Sequence, residues 1–170
     1  AEGDLFRIIA LKDFDGIKKG TKGGLISNEE NLSQEGNCWI YKNAKVYGNA
    51  EVFEDSKIYD SAKIYGSAMI GGYAHVYGGA EVFDKAKIYG KAQVFDCAKV
   101  YGESYVDGKA EIHDSAEVFG SACVTEKAEV YGNSKIFGYA KIKGNSKVFW
   151  KAEVSEDAEV SGNSVVSGYA

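Results

Sequence analysis

The sequence predicts an all-β protein in which short parallel strands stack on one another in the successive coils of a solenoid. Three observations predict this fold: a six-residue repeat that runs unbroken from about Asn37 to the end of the chain, an aliphatic residue in every repeat, and a small residue two positions before it. An α-helix would repeat its apolar positions about every 3.6 residues, so a period of six does not fit a stack of helices.

The aliphatic position is Val or Ile in every repeat from Ile40 to Val166, and the small position is Ala or Ser in every repeat after Cys38. Side chains alternate between the two sides of a strand, so both positions are expected to point into the core. Strands this short cannot bury a face alone, and they must therefore stack on copies of themselves.

The repeat Ala44-Lys45-Val46-Tyr47-Gly48-Asn49 shows how one unit is predicted to fold. Its first and third residues face the interior of the solenoid, whereas its second and fourth residues face outward. The Gly-Asn pair then forms a corner, because both residue types tolerate the positive φ that a sharp corner requires.

This order of residues (aliphatic, any, any, any, small, any) resembles the hexapeptide-repeat family over residues 37–170. The resemblance implies a single-stranded left-handed parallel β-helix with three repeats in each triangular coil, and therefore about seven coils. The handedness follows from the resemblance alone, because crossover connections between parallel strands are otherwise right-handed. The resemblance identifies no single function, since one fold hosts many functions.

Residues 1–36 are predicted to form a small N-terminal cap on the repeat domain of residues 37–170. The stretch from Leu5 to Leu11 is typical of an apolar strand, and Ser27-Asn28-Glu29-Glu30 has the spacing of a capping box for a short helical turn. A cap would protect strand edges that otherwise pair with other chains. This segment also resembles the start of uncharacterised repeat proteins from bacterial genomes and prophages, which implies a bacterial origin.

With three repeats in a coil, every repeat stacks on the third repeat after it, and the residue after each Val or Ile points outward. The first ladder of such residues comprises Tyr41, Tyr59, Tyr77, Phe95, His113, Tyr131 and Phe149. The second ladder comprises Tyr47, Tyr65, Phe83, Tyr101, Phe119 and Phe137. The third row is mixed: Phe53, Gly71, Tyr89, Asp107, Thr125, Lys143 and Ser161.

Two interpretations of the ladders stay open. Stacked aromatic residues stabilise strand pairing by a few tenths to ~1 kcal/mol each. An exposed apolar strip also marks a surface that binds a partner. The asymmetry between the faces favours recognition, since a purely structural ladder would have no reason to avoid the third face.

The hexapeptide-repeat family is best known for acyltransferases, which are trimers that use a histidine base and bind acyl-CoA between subunits. The resemblance therefore makes His75 and His113 the candidate catalytic residues. Both fall on the first face, two coils apart, and His113 is interpreted as one more ring of the first ladder. The sequence departs from those enzymes because it lacks a loop excursion and a C-terminal helix.

No metal site is predicted. The zinc-dependent carbonic anhydrases of this fold use three histidines, whereas this chain has two. Asp96 and Asp114 fall at one corner and could hold a hard cation, but aspartate also favours such corners as a turn residue, and we interpret them so. No cofactor is predicted, apart from acetyl-CoA or another acyl-CoA under the transferase hypothesis.

The composition narrows the classes of function. The formal net charge is −5, and the chain shows no basic stripe of the kind that binds nucleic acid. The mild charge also weighs against a third idea, an acidic rod that mimics a polyanion. No apolar run approaches the ~18 residues needed to cross a bilayer. Neither nucleic acid nor a membrane is therefore an expected partner.

The cysteines are odd in number, and none of Cys38, Cys97 and Cys123 belongs to a CxxC motif. This usage predicts free thiols and a reducing compartment, the cytoplasm. The first residues also lack the basic start and apolar run of a signal peptide, which agrees with that location.

These observations favour a non-enzymatic binding or scaffold protein. It is expected to form a homo-oligomer through one aromatic ladder and to present the other to a protein or small-molecule partner. The alternative is an acyl-CoA-dependent acyltransferase that acts at subunit interfaces.

Overall fold

The computed structural model describes residues 3–169, and it is a parallel β-solenoid of about eight turns with almost no helix. The predicted fold class is confirmed, and the predicted count of about seven coils is close to the observed one. The handedness of the coil stays a prediction.

In chain order the strands are β1 (Phe6–Ile9), β2 (Lys22–Ile26), β3 (Trp39–Ile40), β4 (Lys45–Val46), β5 (Glu51–Val52), β6 (Lys57–Ile58), β7 (Lys63–Ile64), β8 (Met69–Ile70), β9 (His75–Val76), β10 (Glu81–Val82), β11 (Lys87–Ile88), β12 (Gln93–Val94), β13 (Lys99–Val100), β14 (Tyr105–Val106), β15 (Glu111–Ile112), β16 (Glu117–Val118), β17 (Cys123–Val124), β18 (Glu129–Val130), β19 (Lys135–Ile136), β20 (Lys141–Ile142), β21 (Lys147–Trp150), β22 (Glu153–Val154), β23 (Glu159–Val160) and β24 (Val165–Gly168). A single 3-10 helix (Glu29–Asn31) lies between β2 and β3 among the residues that the structure describes. Over residues 3–169 no helix has both the length and the apolar character that a membrane span requires.

The strands form three sheets, because each strand pairs with the strands one coil before and one coil after it. The first sheet runs from β3 through β6, β9, β12, β15, β18 and β21 to β24. The second sheet begins with β1 and β2 and continues through β4, β7, β10, β13, β16, β19 and β22. The third sheet runs from β5 through β8, β11, β14, β17 and β20 to β23. Val82, for example, pairs with Ile64 and with Val100, which confirms that each repeat stacks on the third repeat after it.

The core is the column of aliphatic and small side chains inside the coils. Every aliphatic position from Ile40 to Val148 and every small position from Ala44 to Ala152 is fully buried. This confirms the predicted inward positions. The period admits no gap because any residue at either position lies inside the column, where the small position accepts only Ala or Ser.

The corners fall at every sixth residue from Gly48 to Gly168, and each of these residues has a positive φ. Gly102 shows why glycine is frequent there, since a Cβ atom would lie 2.8 Å from the backbone nitrogen of Gly120 in the next coil. Aspartate or glutamate occupies other corners. At one of them, Asp84 Oδ2 accepts a hydrogen bond from the backbone N–H of Gly102 at 3.3 Å. Trp150 is the unexpected corner residue, because a bulky side chain rarely adopts a positive φ, here 63°.

The N-terminal segment joins the solenoid through β2. β1 pairs antiparallel with β2, and β2 pairs in parallel with β4, where Ile26 lies opposite Val46. The stretch of chain from Ile26 to Val46 is longer than the regular coil from Val46 to Ile64, so the first turn is irregular. The Arg7 guanidinium ties the segment down by donating to the backbone carbonyls of Gly23 and Lys42 at 2.7 and 2.8 Å.

The predicted helical turn is present, but its capping residue differs from the expected one. The side-chain oxygen of Asn31, not Glu30, accepts the backbone N–H of Asn28 at 3.0 Å. Asn31 is fully buried, and its amide nitrogen donates to the carbonyl oxygens of Gly48 and Ala50. A neutral amide can both accept and donate inside the protein, whereas a buried Glu30 carboxylate would only accept.

Candidate binding surface

The second ladder is an unbroken stack of six rings. Neighbouring ring centroids lie 4.7–5.1 Å apart, and neighbouring ring planes lie within 5° of parallel. The stack forms because the spacing of about 4.8 Å between paired strands matches the separation of two stacked rings. Each ring is half-buried. The ring faces are therefore covered by their neighbours, and the ring edges form the surface.

The first ladder is interrupted, which corrects the expectation of a near-continuous stack. Tyr59 stacks on Tyr41 at 4.4 Å, but it meets Tyr77 nearly perpendicularly, at 6.4 Å and 86°. The His75 ring also contacts Tyr59 edge-on, at 5.5 Å. From Tyr77 to Phe149 the five rings are again stacked at 4.8–5.0 Å.

The third sheet carries no ladder, as predicted. Phe53 and Tyr89 close over the buried Gly71 and meet edge-to-face at 6.0 Å. Tyr105 tilts against Tyr89 at 5.9 Å, and its hydroxyl donates to Asp107 at 2.8 Å. These contacts turn the aromatic residues of this sheet toward one another, so they form a local cluster and not a strip.

A charged row runs beside the second ladder on the same sheet: Lys45, Lys63, Glu81, Lys99, Glu117, Lys135 and Glu153. The Lys63 ammonium lies 3.2 Å from the Glu81 carboxylate. Tyr101 donates its hydroxyl hydrogen to Glu117 at 2.9 Å. Burial, together with this hydrogen bond, raises the pKa of Tyr101 to about 12, so its phenol stays neutral near pH 7. The second sheet thus presents ring edges along a row of charges, and the Tyr65 and Tyr101 hydroxyls donate to carboxylates of that row.

The two candidate histidines lie on the first sheet, and the structure does not bring them together. His75 is in β9, two coils from the strand β15 that precedes His113. Burial and the nearby Lys57 ammonium lower the pKa of His75. Lys57 is itself buried and pairs with Asp15 of the N-terminal segment at 2.6 Å. The His113 ring lies between Phe95 and Tyr131 at 4.8 and 5.0 Å, as the sequence predicts.

The structure brings His113 into a cluster with Asp96 and Asp114, of which the sequence placed only the two aspartates together. One ligand atom each from Asp96, His113 and Asp114 lies within 4.8 Å of the others. Asp114 Oδ1 is 3.5 Å from His113 Nδ1, while Asp114 Oδ2 accepts the backbone N–H of Gly132 at 3.0 Å. Two carboxylates and an imidazole are ligands that a divalent cation accepts. The sequence feature that could have indicated this cluster is the adjacent pair His113-Asp114 at a corner, one coil after Asp96.

The cysteines are free thiols, as predicted. Burial raises the pKa of Cys38 to about 11, so its thiol is unreactive near neutral pH. Cys97 is exposed at a corner, and Cys123 is half-buried on the third sheet. None of them lies on the second ladder.

Comparison with known proteins gives one partial match. No family model matches the chain. A segment of 37 residues is 57% identical to the uncharacterized acetyltransferase YdcK of Escherichia coli (strain K12). The matched segment covers 22% of this chain and 11% of that protein, so the chain spans about a tenth of that relative's length. This similarity and the solenoid fit a hexapeptide-repeat-like β-helix.

Proposed function

We propose that this protein is a non-enzymatic binding or scaffold protein that self-associates through the second ladder and offers the first ladder to a partner. The unbroken stack from Tyr47 to Phe137 is the observation that carries the proposal. Five intervals of ~4.8 Å make a straight strip about 24 Å long. A half-buried apolar strip of this regularity is typical of an interaction surface.

The ring geometry favours one kind of partner. Stacking covers both faces of the inner rings, so they cannot stack on a sugar or on a base. Ring edges and a flat sheet instead fit a second flat and rigid surface, of which another copy of the chain is the simplest example. Closed two-fold symmetry is the commonest arrangement for such copies.

The test is a variant with Tyr65→Ser, Phe83→Ser and Tyr101→Ser. We expect this variant to lose self-association, because the centre of the apolar strip becomes polar. Light scattering coupled to size exclusion measures the mass, and circular dichroism confirms that the solenoid is still folded.

The matched control replaces three consecutive residues of the first ladder, Tyr59, Tyr77 and Phe95, with Ser. This control removes the same number of outward-facing rings from the first sheet and should keep the mass of the unaltered protein. An unchanged mass in the second-ladder variant would rule that ladder out as the self-association surface.

A second candidate function is acyl transfer, favoured by the 37-residue match to a protein named as an acetyltransferase. Of the two histidines, His113 has the geometry of a base, since Asp114 lies 3.5 Å from its Nδ1 and can orient the imidazole. The acyl-CoA would bind between subunits, as the family resemblance implies.

The transferase hypothesis predicts release of free CoA from acetyl-CoA in the presence of amine or hydroxyl acceptors. His113→Ala should then lower the rate at least a hundredfold, the effect of losing a general base, whereas His75→Ala should leave it nearly unchanged. Turnover that survives both substitutions would exclude the two histidines as the base.

A further inference from the structure

The charged row beside the second ladder has a regular pattern of alternating charge. Its six residues from Lys63 to Glu153 alternate strictly in sign from coil to coil. Alternation also favours pairing within one chain, as the contact of 3.2 Å between Lys63 and Glu81 shows. Pairing within one chain, however, does not determine which charges face one another when two copies of the row lie antiparallel.

We propose that two copies associate with their long axes antiparallel, around a two-fold axis that passes between the coils of Lys99 and Glu117. This inference rests on the proposed function, because it assumes that the second ladder is the self-association surface. In this register Lys99 of each copy faces Glu117 of the other. The same symmetry operation places Glu81 opposite Lys135, and Lys63 opposite Glu153.

Every facing pair in this register carries opposite charges, and a shift of the axis by half a coil removes that property. A shift by a whole coil, to between Glu117 and Lys135, keeps opposite charges face to face but leaves two kinds of facing pair in place of three. A shift of the axis by half a coil, onto the coil of Lys99, sets Lys99 against itself and Lys63 against Lys135. A shift onto the coil of Glu117 sets Glu117 against itself and Glu81 against Glu153. Like charges that face each other across an interface cost several kcal/mol and suppress the wrong arrangement.

The orientation of the axis follows from the two parallel rows on the sheet. An axis that lies along the strand direction reverses the long axis of the solenoid but keeps the order of the two rows. The ring row then faces the ring row, with Tyr101 opposite Phe119, while the charged row faces the charged row. An axis along the solenoid would instead set rings against charges, which would desolvate the charges without pairing them.

Charge reversal tests the register. We expect Lys99→Glu to weaken self-association at least tenfold, because residue 99 of each copy then faces the like-charged Glu117 of the other. Adding Glu117→Lys should restore association to within about threefold of the unaltered protein, because each altered residue again faces an opposite charge. Sedimentation equilibrium gives the dissociation constants.

The variants also separate this interface from effects within one chain. In Lys99→Glu two neighbouring pairs within one chain carry like charges, residues 81 with 99 and 99 with 117. The double variant also has two such pairs, residues 81 with 99 and 117 with 135. Repulsion within the chain therefore predicts no rescue. Lys87→Glu, on the third sheet, makes the same change of charge away from the interface and should leave the dissociation constant unchanged.

A protein that stays monomeric before any substitution overturns the proposed function and this register together. Self-association that is insensitive to Lys99→Glu, or that the added Glu117→Lys fails to restore, overturns the register and leaves the proposed function standing.

Discussion

Replacing Ile88 with alanine is expected to lower the free energy of unfolding by about 2–5 kcal/mol. Ile88 is fully buried in the middle of the third sheet, where it pairs with Ile70 in the coil before and Val106 in the coil after. The strand register fixes the spacing of these coils, so the structure cannot collapse into the cavity that the lost side-chain atoms leave. Urea unfolding measured by circular dichroism checks the result.

Two companion variants show whether the loss comes from the core. Ile88→Val removes a single methylene group and should cost about 0.5–1.5 kcal/mol. Lys87→Ala alters the neighbouring exposed side chain and should change stability by no more than about 0.5 kcal/mol. If Ile88→Ala cost no more than Lys87→Ala, residue 88 would not lie in a tightly packed column.

Replacing Gly24 with alanine is expected to cost about 1–3 kcal/mol by overpacking the contact between the N-terminal segment and the first coil. Gly24 is buried, and a Cβ atom there would lie 2.6 Å from the carbonyl oxygen of Ala44 and 2.7 Å from that of Tyr41. Backbone atoms cannot move aside as a flexible side chain can. The added methyl group therefore pushes β2 away from the solenoid.

Gly79→Ala is the matched control for Gly24→Ala. A Cβ atom at Gly79 would meet only the carbonyl oxygen of Asp96, at an ordinary 3.4 Å. Its stability should therefore change by less than about 0.5 kcal/mol. Limited proteolysis provides a second measurement, since cleavage in the N-terminal segment just before β2 should become faster in Gly24→Ala and not in Gly79→Ala.

The six-residue period predicts the strands and the core because both follow from one rule, the alternation of side chains along short strands. Val82 and its paired residues lie where that rule places them, and so do the rings of the second ladder. The period also predicts the corners, although nothing in it predicts that Trp150 occupies one. The repeat pattern therefore predicts the strands, the core and the corners wherever the chain is periodic.

The features that the sequence did not predict depend on side-chain rotamers or on irregular segments. The break between Tyr59 and Tyr77 reflects the orientation of rings, which the period does not specify. The capping role of Asn31 depends on the irregular first turn, where the chain between the paired residues Ile26 and Val46 is longer than a regular coil. The approach of His113 to Asp96 depends on the side-chain rotamers between the end of β15 and the corner at Asp114, which the period does not specify.

The solution mass of the unaltered protein, measured by light scattering over a series of concentrations, tests whether the protein self-associates through the second ladder. The account predicts a dimer, or a mass that rises from monomer to dimer with concentration, because the strip beside the charged row is self-complementary. A mass that stays monomeric at every concentration would contradict self-association through the second ladder. A fixed trimer would also contradict the two-fold arrangement, and it would favour the acyltransferase.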